Sequence, residues 1–396
     1  MMEWMLIGLF VFILCYLGWG VLYQFVFSVA GLFWKGKTLP PVFKQRKMAV
    51  FIPAYKEDNV IVKVAKDALE QDYPADRYEV FVIADSFQQT TLAALKQLPI
   101  HVVEVAFEQS TKSRALKATL AQLPKAVFDV MIILDADNIM APDFLAKING
   151  HFELGHRVVQ GCRAAKNHNT PMAILDGLSE AINNHILCKG HAALGLSARL
   201  AGSGMAFDAD LFHCTMPKVD AIGGFDKELE LQLIGNGEQV FYAPEAVVYD
   251  EKVSKAAHFS QQRSRWIAAQ FHYAKRFVPH AFRTFFVAGN IDYLNKAVQM
   301  LLPPRLITPG VLGIMAVLSM LLGQLSLAIA FFTFLLINIS SFLLAMPAYA
   351  WRPPYINAFL QLPMIFVFAL KSLLSIRKAK QQFIHTPHGE TLNHTK

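Results

Sequence analysis

Three long stretches of this 396-residue chain contain no Asp, Glu, Lys or Arg: 4–34, 306–351 and 353–370. A helix that crosses a bilayer needs about 20 mostly apolar residues. The first stretch is long enough for one crossing and the second for two, whereas the third is borderline. Charged residues make up 17% of the chain, whereas soluble domains contain about 25%. These features predict a multi-pass integral membrane protein with one soluble domain between its apolar ends.

The basic residues beside the apolar stretches predict the orientation of the chain in the membrane. Loops rich in Lys and Arg stay in the cytoplasm, and five such residues come directly after the first stretch: Lys35, Lys37, Lys44, Arg46 and Lys47. That stretch is longer than the core of a secretory signal and has no basic leader, so we interpret it as a permanent anchor. The soluble domain is therefore predicted to be cytoplasmic. Basic residues after 370 also favour the cytoplasm, which conflicts with three full crossings, so we expect 356–374 to lie in the interface or to re-enter.

The net charge and the cysteines argue against two other classes of protein. The net charge of +7 comes mostly from the basic clusters that flank the apolar stretches. Because the soluble part has no basic face interleaved with aromatic residues, we predict no nucleic-acid partner. The four cysteines form no C-x-x-C pair, so we expect them to be reduced and chemically inert.

Strands and helices alternate in the first half of the soluble part. Apolar runs predict strands at 48–52, 78–84, 100–105 and 127–134, and helical spacing predicts helices at 58–70, 91–98 and 113–123. This alternation is typical of an α/β fold with a doubly wound, mainly parallel sheet. Ligands of such sheets bind outside the carboxyl ends of the strands. Candidate site residues lie at the ends of three of these strands: Pro53, Tyr55, Asp85, Asp135 and Asp137.

The second half is less regular. We predict a helix at 172–187, a strand at 200–207, short strands within 239–250 and a helix at 260–276. The segment 277–305 mixes apolar and basic residues, which is typical of an amphipathic helix lying in the membrane interface. The predicted boundaries are therefore an anchor at 1–34, a soluble domain at 35–276, this interfacial segment, two to three membrane helices at 306–376 and a tail at 377–396.

Two carboxylates lie at the end of the fourth predicted strand. Asp135 and Asp137 are two positions apart, so in an extended chain their side chains point the same way. Such a pair suits Mg2+ or Mn2+, whose other ligands are phosphate oxygens and water. The alternative is a solvated turn in which Asn138 caps the next segment of the chain. Asp85, at the end of the second strand, could accept hydrogen bonds from a base or ribose, or could be a helix N-cap.

Two further segments carry chemically suitable groups. Arg263, Arg265 and Trp266 lie on one predicted helical turn, where the guanidinium groups suit phosphate and the indole suits a sugar ring or lipid headgroup. The alternative is an Arg/Trp belt at the membrane interface. Asp226 and Glu228 lie at a predicted helix start, where one of them could be a catalytic base or both could stabilise the helix dipole.

Together these residues resemble the membrane-embedded family 2 glycosyltransferases, which include cellulose, hyaluronan and chitooligosaccharide synthases and ceramide glucosyltransferase. The resemblance covers about 48–273 and the apolar stretches on either side. It implies a GT-A fold. In chain order, the family motifs that the sequence resembles are P-A-Y-N-E in the nucleotide loop, K-x-x-A-L with a lysine that faces the nucleotide, the metal-binding D-x-D, the acceptor segment at 202–207 and Q-x-x-R-W. The residues that match are Pro53, Tyr55, Glu57, Asp85, Lys112, Asp135, Asp137, Gly204, Gln262, Arg263, Arg265 and Trp266.

The sequence departs from the family pattern at the catalytic base. The family has Glu-Asp, with the Asp as base, where this chain has Lys227-Glu228. The resemblance therefore implies Glu228 as the base, with Asp226 as the second candidate. A milder departure is Lys56, which stands where the nucleotide loop of the family has Asn.

The implied function is inverting, metal-dependent transfer of a sugar from a nucleoside diphosphate sugar, with UDP favoured, to a growing glycan at the cytoplasmic face of a bacterial inner membrane. The alternative is transfer of one sugar to a lipid. The implied cofactor is Mg2+ or Mn2+, and the implied partners are the donor, a glycan or lipid acceptor, membrane lipids and an export partner or oligomer. In some family members a loop after a span closes over the nucleotide, for which Thr386 or His388 are candidates here; the alternative is a disordered end. A transporter or scaffold with a non-catalytic nucleotide-binding module is the competing class.

Overall fold

The computed structural model describes the backbone of residues 2–221, 223–252 and 256–374. Eight strands form one sheet: β1 (Met48–Tyr55), β2 (Tyr78–Asp85), β3 (His101–Val105), β4 (Val130–Ile133), β5 (Ile139–Met140), β6 (Val158–Ala165), β7 (Met205–Asp208) and β8 (Val240–Asp250). Their order across the sheet is β3-β2-β1-β4-β7-β6-β8-β5.

The helices account for most of the rest of the described chain. In the N-terminal part these are α1 (Met2–Leu32), α2 (Ile61–Asp67), α3 (Gln89–Leu95), α4 (Lys112–Gln122), α5 (Phe144–Glu153), α6 (Pro171–Asn183), α7 (His191–Ala193) and α8 (Ala209–Thr215). They are followed by α9 (Phe225–Gly235), α10 (Ala256–Ala288), α11 (Ile291–Gln299), α12 (Thr308–Leu321), α13 (Leu325–Ala345), α14 (Pro353–Ala358) and α15 (Leu362–Leu374). A seven-residue π-helix, Asn184–Gly190, joins α6 to α7.

The sheet confirms the predicted α/β class and is mainly parallel, with β7 and β5 reversed among the described strands. Strands β3, β2, β1 and β4 are parallel to one another, as predicted. In the other half β6 and β8 are parallel to each other and run in the same direction as β4, whereas β7 is antiparallel to β4 and β6, and β5 is antiparallel to β8. The prediction of a mainly parallel sheet is therefore confirmed for the described strands. Strand β7 runs the other way because it begins at Met205, at the edge where β4 ends, and so runs back along β4.

Both faces of the sheet are buried. On β1, Ala49 and Phe51 pack on one face, and Met48, Val50 and Ile52 pack on the other. All five side chains are fully buried because helices cover both sides. This two-sided burial explains why the central strands are continuous apolar runs in the sequence rather than alternating ones.

Helices α1, α12 and α13 pack together beside the sheet domain. A Cβ atom at Gly18 would lie 2.8 Å from the ring of Phe334, so glycine allows α1 and α13 to approach closely. Phe10 packs edge-on against Phe331, and Leu312 of α12 is buried in the same cluster. In the described part of the chain, two helices are long and apolar enough to cross a bilayer, Trp4–Leu32 and Leu325–Ala345. The 14 residues of α12 span about 21 Å, which is shorter than the hydrocarbon core.

The segment predicted to be a separate interfacial unit is continuous with the sheet domain. Helix α10 runs through the predicted boundary at 276/277 and contains Pro279. In α11, Lys296 is fully buried and lies 3.2 Å from Glu230 of α9. Part of the amphipathic pattern of 277–305 therefore serves packing against the domain. Helix α14 packs against α6 through a cluster that includes Leu175 and Ala358, and α15 packs against α10.

Candidate active site

The nucleotide-loop candidates lie where β1 and β2 end side by side. Tyr55 is the register partner of Asp85, and Pro53 lies two positions earlier in β1. Both strands turn sharply at their ends, since Lys56 and Ser86 have φ values of +55° and +62°. The backbone N–H of Lys56 donates to the carbonyl of Asp85 at 3.1 Å. The two strand ends are thus held together at one edge of the sheet.

Asp85 is buried and bound by hydroxyl groups. Its carboxylate accepts hydrogen bonds from Ser86 Oγ at 2.9 Å and from Ser110 Oγ. It does not cap the next helix, because the N-cap of α3 is Gln88. Glu57, in the same loop, is also buried at 7% exposure. The cap interpretation of Asp85 therefore does not hold, and its side chain belongs to a polar network at the strand ends.

The D-x-D segment lies beside the glycine loop 202–204. The N–H of Asp135 donates to Ser203 Oγ at 2.9 Å, and Asn138 Nδ2 donates to the same oxygen at 2.6 Å. Asn138 therefore anchors the turn to the glycine loop rather than lying free in solvent. Asp137 is buried at 9% exposure. Within the described ranges, no three His, Cys, Asp or Glu side chains are grouped so that they could hold a metal ion.

Lys112, the first residue of α4, joins these two segments. Its ammonium group contacts Asp135 Oδ1 and donates to the carbonyl of Gly202 at 2.7 Å. It also lies 5.1 Å from the ring centre of Phe225, at the start of α9. The Lys112 ammonium group therefore links α4 to the D-x-D turn, the glycine loop and the start of α9.

The glycine loop adopts a backbone that other residues rarely take. Gly202 and Gly204 have φ values of +83° and +63°. A Cβ at Gly204 would also lie 3.0 Å from Val248 of β8. For this reason the strand predicted at 200–207 begins only at Met205 and joins the sheet as Met205–Asp208. Positive φ is strongly disfavoured for residues with a Cβ, so both glycines are structurally required.

Two residues of β6, the buried Gln160 and the half-buried Arg163, hold this loop and were missed by sequence reasoning. Gln160 donates to the carbonyl of Ser203 at 3.0 Å and accepts from the N–H of Ala201 at 2.8 Å. Arg163 donates to the carbonyl of Ala201 at 2.6 Å and pairs with Asp250. Burial alone would lower the pKa of Arg163, but nearby carboxylates raise it well above its usual value. The one available signal was polar side chains within an otherwise buried strand.

The two candidate bases lie on different sides of α9. Asp226 is next to the loop, since its Oδ2 would lie 3.9 Å from a Cβ placed on Gly202. Glu228 is fully buried, and its Oε1 accepts from Arg276 of α10 at 2.6 Å and from Gln232 at 3.3 Å. Two helical positions differ by about 200° around the axis. The structure therefore brings Asp226 to the loop and directs Glu228, the first candidate from the sequence, toward α10.

The structure describes only some of the remaining candidate residues. The Q-x-x-R-W segment lies on α10, and Trp266 is 41% exposed. The side chains of Gln262, Arg263 and Arg265 lie outside the described residues. The tail 375–396, with Thr386 and His388, lies outside them as well.

Comparison with known proteins identifies the family. A family model described as glycosyltransferase like family 2 matches residues 45–269, more than half of the chain. The chain belongs to this family. The predicted enzyme class is thereby confirmed, against the alternative of a transporter or non-catalytic scaffold.

Two curated relatives are similar to part of the chain. A beta-monoglucosyldiacylglycerol synthase from Synechocystis is 24% identical over 56% of this chain and 47% of its own length. The probable glycosyltransferase YdaM from Bacillus subtilis is 23% identical over 60% of this chain and 58% of its own. The matched part thus spans about half the length of these curated relatives.

One solved structure resembles almost the whole chain. The mannosyltransferase PcManGT from Pyrobaculum calidifontis, solved in complex with GDP-Man and Mn2+, has a TM-score of 0.54 and 17% identity. The match covers 94% of this chain and 99% of that one. The GT-A type of α/β fold is therefore confirmed, and the shared fold extends beyond the family domain.

Proposed function

We propose that the protein transfers a sugar from a nucleoside diphosphate sugar to a lipid acceptor at a membrane surface. The observation that carries this proposal is the convergence of three charged groups on the Gly202 loop. Lys112 contacts both Asp135 and the carbonyl of Gly202, and Asp226 lies against the same glycine. A cation for a leaving group and a carboxylate for an acceptor hydroxyl are the two charges that an inverting transfer requires.

Asp137 and Asp135 are proposed to hold a divalent cation, Mg2+ or Mn2+. Two carboxylates fit a hard cation whose other ligands are diphosphate oxygens and water. When bound, the cation would neutralise the charge that develops on the leaving diphosphate. The Mn2+ present in the PcManGT complex supports this assignment. Lys112 would change partner from Asp135 to a phosphate oxygen as the donor binds.

Asp85 and the loop 53–57 are proposed to bind the nucleoside. The Asp85 carboxylate is held by two serine hydroxyl groups, so it is already oriented before a base arrives. Tyr55 lies beside it in register, and the ammonium group of Lys56 lies 5.1 Å from the centre of the Tyr55 ring. These residues suit either uracil or guanine, and we keep uracil on the strength of the family resemblance.

Asp226 is proposed as the general base that deprotonates the acceptor hydroxyl. It is half-buried, lies in the first turn of α9 and faces the Gly202 turn. Glu228 satisfies one carboxylate oxygen on Arg276 instead, so its role is proposed to be structural. Gly202 leaves space beside Asp226 that a larger side chain would fill. The acceptor hydroxyl is therefore expected to approach over the glycine loop.

The packing of the apolar helices favours a lipid over a growing glycan. We propose that α1 and α13 anchor the enzyme in the membrane with the sheet domain on the cytoplasmic side. Buried side chains such as Leu312 and Phe331 fill the space between α1, α12 and α13. Within these three described helices, that packing leaves no path for a polysaccharide. The name of the Synechocystis relative, a beta-monoglucosyldiacylglycerol synthase, supports the same choice.

The test is to size the product. The full chain in nanodiscs, with Mn2+ and radiolabelled UDP- and GDP-sugars, is supplied with diacylglycerol-containing lipid. A lipid-extractable product that carries one sugar is expected with one donor. High-molecular-weight product would instead establish glycan synthesis. No product with any donor, from protein that binds the donor, would contradict the proposed acceptor class.

A further inference from the structure

A second polar site lies away from the transfer site, where α1 and α13 meet the π-helical segment Asn184–Gly190. A small cavity that opens to the surroundings is lined by residues of all three elements and of the loop before α12. Its wall is mixed in character. Ile186, Leu302 and Pro303 are apolar, whereas Gln24 and Asn338 carry amide groups.

Both amides are buried with an unsatisfied atom. Gln24 is 5% exposed and Asn338 is 1% exposed. Gln24 Nε2, a donor, and Asn338 Oδ1, an acceptor, make no hydrogen bond to the described part of the protein. Buried polar atoms are nearly always satisfied, and an unsatisfied one needs an explanation. One donor and one acceptor on the wall of the same cavity indicate a ligand that both accepts and donates.

The cavity also carries a positive charge. Arg305 is the charged residue among the described residues that line it. Its guanidinium donates to Asn183 Oδ1 at the end of α6, which fixes the group on the cavity wall. A guanidinium group matches the geometry of phosphate oxygens better than an ammonium group does. The acceptor part of the ligand is therefore expected to be anionic.

The depth of the amides fits the headgroup region of a bilayer. The ends of α1 and α13 that face the sheet domain meet in a cluster containing Phe27, Ile182 and Ala345. Gln24 and Asn338 lie eight and seven residues from the helix ends at Leu32 and Ala345. At 1.5 Å per residue, both amides are about 10–12 Å from those ends. Helix α1, with 31 residues, is about 46 Å long and extends beyond a hydrocarbon core of about 30 Å, so Gln24 lies near the boundary with the lipid glycerol and phosphate groups.

We propose that this cavity binds the headgroup of a phospholipid that carries both a phosphate and a free hydroxyl group, as phosphatidylglycerol does. The phosphate accepts hydrogen bonds from Arg305 and Gln24 Nε2, and the hydroxyl donates to Asn338 Oδ1. The acyl chains leave along the apolar wall. This site rests on the membrane anchoring proposed above but not on sugar transfer. It is a lipid-binding site separate from the Gly202 loop.

Native mass spectrometry of the full chain, released from detergent with a defined lipid, tests this proposal. With phosphatidylglycerol, we expect one lipid retained per chain, and with phosphatidylcholine, which lacks the hydroxyl, at least tenfold lower occupancy. Asn338→Leu and Gln24→Met keep the side-chain size and remove one polar partner each. Each should weaken phosphatidylglycerol binding about tenfold, as expected for a hydrogen bond to a charged or buried group.

Thr333→Val is the matched control on the same helix. Thr333 is exposed, and its hydroxyl group donates to Ile329 within α13 rather than lining the cavity. Retention should be unchanged in this variant. Thermal unfolding in lipid-free detergent checks that Asn338→Leu and Gln24→Met fold, and the second variant tests the site if the first does not.

Three results would overturn the proposal. The first is retention of phosphatidylcholine equal to that of phosphatidylglycerol, and the second is unchanged retention of phosphatidylglycerol in both cavity variants. The third is retention of inorganic phosphate equal to that of phosphatidylglycerol, which would mean a free-anion site. Binding of donor and Mn2+ is measured on the same samples. Lost donor binding with normal lipid retention would count against the proposed transferase site alone.

Discussion

Replacing Asp226 by Asn removes the group that we propose as the general base and keeps its size. General-base catalysis contributes about 10^2- to 10^4-fold to a rate. The turnover number should therefore fall by at least about 100-fold, which corresponds to about 2.7 kcal/mol in the barrier. Binding of the donor should stay within about threefold of the wild type, because the carboxylate is proposed to act on the acceptor.

The matched variant is Glu228→Gln, two positions along the same helix. Glu228 is fully buried, and its partner Arg276 is 46% exposed, at 2.6 Å. The free energy of unfolding should therefore fall by about 2 kcal/mol, which lies between the losses expected for a surface ion pair and for a buried one. A loss of this size lowers the melting temperature by about 4–8 °C. Turnover per folded molecule should stay within about threefold of the wild type.

Single-turnover transfer in nanodiscs, with differential scanning calorimetry on the same preparations, separates the two effects. Asp226→Asn is expected to be stable and inactive, and Glu228→Gln active but less stable. The opposite pattern, with Glu228→Gln inactive at an unchanged melting temperature and Asp226→Asn active, would refute the assignment from geometry. It would restore Glu228 as the base, as the family motif implies.

Three further perturbations test other parts of the structure. Lys112→Met should raise the dissociation constant of the donor at least tenfold, by calorimetry, because a charge-assisted contact to phosphate is lost. Gly202→Ala, at φ +83°, should lower the free energy of unfolding by about 1–2 kcal/mol and should also lower turnover. Gly237→Ala, at φ +87° with open space around it, is the control and should lower stability alone. Burial lowers the pKa of His156 to about 4, so the unfolded chain binds the proton first. Stability to urea should therefore fall by about 1–3 kcal/mol from pH 6.5 to pH 4, and His156→Phe should weaken this dependence.

The first half of the sheet could be predicted because its strands are buried on both faces. Strands such as β1, with Val50 and Phe51 both fully buried, are continuous apolar runs whose ends are marked by polar residues. Parallel strands place their carboxyl ends at one edge. That rule alone predicts that Tyr55, Asp85 and Asp135 lie together.

The support of the glycine loop could not be predicted from spacing. Gln160 and Arg163 lie about forty residues before Ala201 and Ser203, to which they bind. Their contacts depend on β6 lying between β7 and β8, an order that local patterns do not contain. In the sequence, polar residues that bind a distant backbone segment look the same as ordinary interruptions of an apolar strand.

The family motif and the helix geometry favour different residues as the base. Matching by motif selects Glu228, because it occupies the position of the family Asp. The helical turn at that point faces Arg276 instead, and Asp226 faces the loop. A difference of two positions on a helix reverses the direction of a side chain, which a motif match does not take into account.

The most direct test of metal-dependent sugar transfer at this sheet edge is the Mn2+ dependence of donor binding and transfer in wild type and Asp137→Asn. We predict that EDTA abolishes transfer and that Mn2+ restores it in the wild type. In the variant, donor affinity should fall by at least about tenfold and transfer by at least about 100-fold at every Mn2+ concentration. Equal transfer by both proteins, or full transfer in EDTA, would contradict a metal-dependent reaction at Asp137.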